Sequence, residues 1–194
     1  ELKEARQGRK QTPESLYLLY REARSLAALV RTKDLQRLFE ESETLPPESG
    51  FSPGMIILAA GRELRAHGFG EDASRVLGQA IQWFETRPEQ EKTSEENRYS
   101  QASTFYVLGK WNEAKMLFEG LHADVPNNID YLGYLGSVAV QMGDKEAALE
   151  ISKALEEDKR PYQDGKPTYW RARIAALLGD KEGAVNLLRQ ATKQ

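Results

Sequence analysis

The sequence predicts an all-α chain built of stacked helix hairpins, and three observations carry that expectation. Apolar residues recur at offsets of three and four along most of the 194 residues, the period of a helix with one buried face. Gly68, Gly109, Gly143 and Gly179 fall 41, 34 and 36 residues apart, each between two such stripes. Gly179-Asp180-Lys181-Glu182 repeats Gly143-Asp144-Lys145-Glu146 letter for letter. No stretch alternates apolar and polar residues between turn pairs, so no strand is expected.

Glu1 to Gln11 is polar and reads as a frayed helical lead-in. Thr12-Pro13-Glu14 reads as a helix start, with the hydroxyl at the cap, proline at the first helical position and an acid in the first turn. Leu16, Leu19, Tyr20, Ala23, Leu26, Ala27 and Val30 then form one apolar face. A second helix is expected to start near Lys33 or Asp34, to carry Leu35, Leu38 and Phe39, and to end at Leu45-Pro46-Pro47. This hairpin, residues 1–50, lacks the turn glycine and the alanine five residues beyond it, so it reads as a degenerate end unit. Residues 51–194 read as four regular units, at about 52–88, 95–128, 129–160 and 165–194, in one continuous array of about ten helices with the first hairpin. The long first interval holds Thr86 to Asn97, a charged run expected to be a loop or a solvated helix end. Arg160 to Pro167 reads as a turn holding two prolines.

The clearest unit is Arg98 to Asn128. Small residues Ala102 and Ala114 sit where two antiparallel helices must cross closely, and Phe105, Phe118 and Leu121 fill the space beside them. Gly109 suits a left-handed helix end, Asn112 a cap for the helix that begins at Trp111, and Pro126 stops that helix. The other units match in register: Gly61, Leu64, Ala73 and Leu77 around Gly68, Gly136, Ala139, Ala148 and Leu155 around Gly143, and Ala172, Ala175, Ala184 and Leu188 around Gly179. The pattern resembles a tetratricopeptide repeat, whose period is about 34 residues. The resemblance implies a right-handed superhelical α-solenoid.

Composition bounds the chemistry. With 40% hydrophobic residues the chain can bury a core, and a formal charge of −3 lacks the basic excess of a nucleic-acid footprint. No apolar run approaches the roughly 20 residues of a membrane span. The chain begins at Glu1 and shows no signal-peptide pattern, which suggests a processed product or an excised domain. The absence of cysteine excludes disulfides and thiol catalysis and leaves the compartment open, with the cytoplasm favoured. Gly68-Phe69-Gly70-Glu71-Asp72-Ala73 fits the dinucleotide fingerprint in letters only, because a helix rather than a strand precedes it. Gly165-Lys166-Pro167-Thr168 lacks the earlier glycine of a phosphate loop. His67 and His122 lie in different hairpins without ligand spacing, so neither a metal nor any other cofactor is expected, and there is no enzyme signal.

What remains is a surface for a protein or peptide. In the family this chain resembles, the first helix of each hairpin lines the concave face, which implies partner contacts 13, 10, 6, 3 and 2 residues before each turn glycine. Those offsets include Met55 and Leu58, and the residues singled out among them are Arg62, Arg65, Tyr99, Ser103, Tyr106, Gln141, Tyr169 and Arg173. Arginine and tyrosine are the types enriched where partners anchor. The family's chaperone-tail binders use a clamp of lysine and asparagine, and those asparagines are missing here. Trp170 reads as packing against the preceding unit. The sequence thus favours a non-enzymatic scaffold binding a protein or peptide in a concave groove. Two alternatives stand: a regulatory or sensor module of a larger bacterial signalling protein, which the Gly-Asp-Lys-Glu turn resembles, and homodimerisation through an uncapped C-terminal helix. In the last case Val185, Leu188, Leu178 and the inner side of Ile174 would face water.

Overall fold

The computed structural model describes residues 1–46, 48–158, 160–161 and 163–193. Among them are twelve α-helices and no strand, with one isolated bridge between Glu48 and Phe51. The chain forms two compact units, Glu1–Leu108 and Gly109–Gln194. The first holds α1 (Leu2–Gln11), α2 (Leu16–Ala28), α3 (Thr32–Ser42), α4 (Pro53–Ala66), α5 (Gly70–Glu85), α6 (Glu89–Lys92) and α7 (Glu95–Leu108). The second holds α8 (Trp111–Asp124), α9 (Ile129–Gln141), α10 (Lys145–Glu157), α11 (Lys166–Leu177) and α12 (Lys181–Ala191).

Helix α1 is a formed element rather than a frayed lead-in. It buries Ala5, and two arginines clamp it to α2 through one carboxylate: Arg6 Nε donates to Glu22 Oε1 at 2.8 Å and Arg9 Nη1 to Glu22 Oε2 at 2.6 Å. Arg9 also pairs with Glu41 on α3. The Thr12 cap is corrected: Thr12 closes α1, and Ser15 caps α2 by accepting from the Leu18 amide. Its side chain lies three residues before that amide, the separation at which a hydroxyl reaches an orphan helical N–H. Helix α3 starts at Thr32 and ends at Ser42, while Pro47 lies outside the described residues.

The first hairpin keeps the register of the others, with valine in the glycine's place. Val30 takes φ +56, the left-handed conformation that a β-branched side chain disfavours. Its amide and that of Arg31 still close the helix, on the Ala27 and Leu26 carbonyls at 2.9 Å each. The same pair of bonds ends α4, where Gly68 and Phe69 donate to Arg65 and Leu64 at 3.1 and 2.9 Å. Packing of Val30 on the unit core holds it there. Counted from Val30, Ala23 occupies the small-residue position and Phe39 the position of Phe118, and both are buried.

The small residues do the job expected of them. A Cβ at Gly61 would stand 2.6 Å from Leu77 Cδ2, and one at Gly136 would stand 2.5 Å from Ile174 Cδ1. Ala73, Ala114, Ala148 and Ala184, each five residues past a turn glycine, are buried. Gly68, Gly109, Gly143 and Gly179 all have positive φ.

Two further expectations need correction. Asn112 lies inside α8 rather than capping it, since Lys110 precedes the first helical residue. Ile174 is buried over Gly136 instead of meeting water. The charged run Thr86 to Asn97 is a largely exposed connection that holds one short helix, α6, and the first residues of α7, and Arg87 lies over the Trp83 ring at 4.6 Å. In the connection to α11, where Lys159 and Tyr162 lie outside the described residues, Arg160 donates to Asp158 at 3.0 Å and to the Asn127 carbonyl at 2.9 Å. Pro167 sits in the first turn of α11 behind Gly165, whose φ is +70. No helix among the described residues is long and apolar enough to cross a membrane.

Candidate functional site

In the first unit the first helices of the hairpins, α2 and α4, and the next helix in register, α7, bring like positions together. Helix α4 supplies a floor of Met55, Leu58 and Ala59. Tyr20 on α2 and Tyr99 on α7 share the offset of ten residues before Val30 and Gly109, and both line the same cleft. Arg24 and Arg62, six residues before Val30 and Gly68, line it too, with Glu63 and Ser100. The cleft encloses about 310 Å³.

Its charges are arranged around one carboxylate. Arg24 Nη2 lies 2.5 Å from Glu63 Oε1 and its Nε donates to the same oxygen at 2.7 Å. That hydrogen bond raises the Arg24 guanidinium above its usual pKa, against the smaller lowering effect of partial burial. His67 Nε2 lies 3.8 Å from the other Glu63 oxygen, one helical turn on. Arg24 also lies 5.8 Å from the Tyr20 ring centre, within cation–π range. Tyr17 and Tyr20 both meet Phe51 edge to face, at 5.3 and 5.6 Å.

The predicted residues divide in three. Arg62 and Tyr99 line the cleft. Arg65, exposed one turn further along α4, donates through Nη1 to the Val107 carbonyl on α7, and Tyr106 is half-buried on the same helix. Ser103 is corrected: it is 0% exposed with its hydroxyl unpartnered, and it presents nothing to a partner. A serine side chain is too short to emerge from between packed helices, whereas arginine at the same offset carries its charge outward on a three-carbon stem. Ser137 at that offset on α9 is buried likewise, donating to the Gly133 carbonyl at 3.0 Å.

In the second unit, Gln141 is exposed at the end of α9 and Tyr169 is 45% exposed on α11. Arg173 lies over the rings of Trp170 and Tyr134, at 5.0 and 5.4 Å. Beneath it runs an aromatic ladder in which Phe118 stacks on Tyr134 at 4.5 Å and Tyr134 meets Trp170 at 4.7 Å. Trp170 is seated on Gly133, where a Cβ would come within 2.1 Å of the indole, and its Nε1 donates to Asp130 at 2.9 Å. Trp170 therefore packs between α9 and α11, as its position suggested. On α12, Val185 and Leu188 are 46% and 44% exposed.

Tyr20 and Arg24 were missed from sequence. The signal for them was the spacing of the first hairpin, legible only once Val30 is accepted as a turn residue in the glycine's place. No group of three metal-ligating side chains converges among the described residues.

No protein-family model matches this sequence, and no curated protein matches it. Solved structures do match. A tetratricopeptide repeat protein from Parabacteroides merdae shares the fold with a TM-score of 0.64 at 16% identity, over 99% of this chain and 70% of that one. A putative kinesin light chain from Podosopora anserina, with nearly identical TPR-like repeats, gives 0.54 at 17% identity, over 92% and 93% of the two chains. The chain thus has the all-α solenoid fold of tetratricopeptide-repeat proteins.

Proposed function

We propose that this protein is a non-enzymatic scaffold that holds another protein or peptide on the faces of its first helices. The observation carrying this reading is the convergence of like-numbered positions from α2, α4 and α7 on one cleft, with an apolar floor, two tyrosines and two arginines. Repeating helices supply the same offset at regular steps, so a partner in extended conformation meets a regular row of side chains. Tyrosine and arginine add large contact area and directional donors at such a surface. In the second unit, Tyr169, Arg173 and Gln141 are proposed to serve the same purpose.

The test uses peptides selected from a random display library on the whole chain. Arg62→Ala together with Arg173→Ala is expected to weaken the selected peptides at least tenfold, about 1.4 kcal/mol. Glu71→Ala with Arg75→Ala, on the second helix α5, is expected to leave them bound. Peptides that hold equally well to the first pair of changes would remove the groove assignment.

A second reading rests on α12. Val185 and Leu188 lie on one stripe three residues apart and stand exposed, which favours self-association through that helix.

A further inference from the structure

We infer that two copies of this chain join through α12 in antiparallel sense, with Glu182 of each copy set against Arg189 of the other; this rests on the self-association reading above and adds its geometry. The seam is legible on the helix itself. Lys181, Val185, Leu188 and Thr192 follow one another at steps of four, three and four, and all four are exposed. That is the spacing of a stripe that stays in register with a neighbouring helix. Reversed and laid on its own copy about the midpoint of Val185 and Leu188, the stripe forms four layers. Val185 meets Leu188 twice in the middle, and Lys181 meets Thr192 at either end. The apolar side chains are then covered together and the polar ones stay at the open ends, where the lysine head reaches water. A slip of seven residues in either direction would pair Lys181 with Val185 or Leu188 with Thr192.

Charge gives the direction. Glu182 and Arg189 sit two turns apart on one flank of the stripe, both exposed, and neither is held in an ion pair among the described residues. Antiparallel pairing about that midpoint brings this flank against its own copy, so Glu182 faces Arg189 on both sides of the two-fold axis. Parallel pairing would bring it against the other flank, where Ala184 is buried and Ala191 half-buried and neither carries charge. The antiparallel arrangement thus answers both charges of each copy, and the parallel one answers neither. Alanine on the inner flank also lets the two backbones approach closely. With eleven residues α12 offers three turns of contact, which makes the dimer a weak one.

Sedimentation equilibrium at low salt, on the whole chain at up to about 1 mM, reads the dissociation constant. The unaltered chain is expected to dimerise. Glu182→Arg alone and Arg189→Glu alone each set like charges together at two points, and each is expected to weaken the dimer about tenfold. The two variants mixed in equal amounts are expected to recover it, because each supplies the charge the other lacks. The chain carrying both changes should recover it by itself. Helical circular dichroism verifies that each variant is folded. A dimer indifferent to either change, or weakened by both without recovery on mixing, overturns the antiparallel arrangement and leaves self-association standing. A monomer at every concentration overturns the two together.

Discussion

Gly136 and Gly143 lie seven residues apart and answer to different constraints. Gly143 has φ +83 with open space where a Cβ would be, so only the backbone conformation demands glycine there. Gly136 sits in regular helix, and a Cβ would press on Ile174 and Ile151 at 2.5 and 2.9 Å. Alanine at either position is expected to destabilise the protein, by about 1–2 kcal/mol at Gly143 and about 1–3 kcal/mol at Gly136. The causes separate in a double-mutant cycle read by urea denaturation. Ile174→Val should offset part of the Gly136→Ala loss by vacating the space, and should add independently to Gly143→Ala. Full additivity in both cycles would mean that close packing is not what Gly136 serves. At the same scale, Val30 shows that glycine is the easy solution to the left-handed turn rather than the required one.

Helix α1 is held more by charge than by apolar burial. Its fully buried residue is Ala5, whereas Glu22 receives both Arg6 and Arg9 with its side chain only 6% exposed. A carboxylate so buried is tolerable because the two guanidiniums replace its water. Glu22→Ala takes this partner from both, with Arg6 able to turn to solvent at 45% exposure and Arg9, 19% exposed, keeping Glu41. The expected loss is therefore about 2–3 kcal/mol, below the full cost of breaking a buried pair. Hydrogen exchange should show the amides of α1 losing protection first, with Glu22→Gln intermediate. Unchanged protection across α1 would show that the ion pairs do not anchor it. By contrast α12 leaves Val185 and Leu188 on one stripe, 46% and 44% exposed.

For the whole molecule, that stripe bears on association. If α12 joins two copies, light scattering across a dilution series should show a dimer that dissociates, and Leu188→Lys should leave monomer at every concentration; a monomer throughout the unaltered series removes the second reading. The repeat plan itself was readable from the chain, because glycine spacing and the three-and-four stripe are local properties of a helix hairpin. Gly61, Ala102, Gly136 and Ala172 could be assigned as crossing points from those intervals, since a close crossing admits only small side chains. Legibility failed where a neighbour from elsewhere in the chain decided the outcome. Thr12 and Ser15 are equally good caps by composition, and the docking of α1 left the task to Ser15. Ser103 and Arg62 share one offset, yet the packing of adjacent helices buries the first and leaves the second at the cleft. Tyr20 and Arg24 joined the cleft through a turn whose glycine had been replaced by a valine wedged on the core. Periodicity along the chain determined which faces are apolar and where hairpins bend. Which side chains reach the cleft was decided by three helices meeting there, because exposure depends on what packs alongside a helix, and a sequence records only what comes before and after.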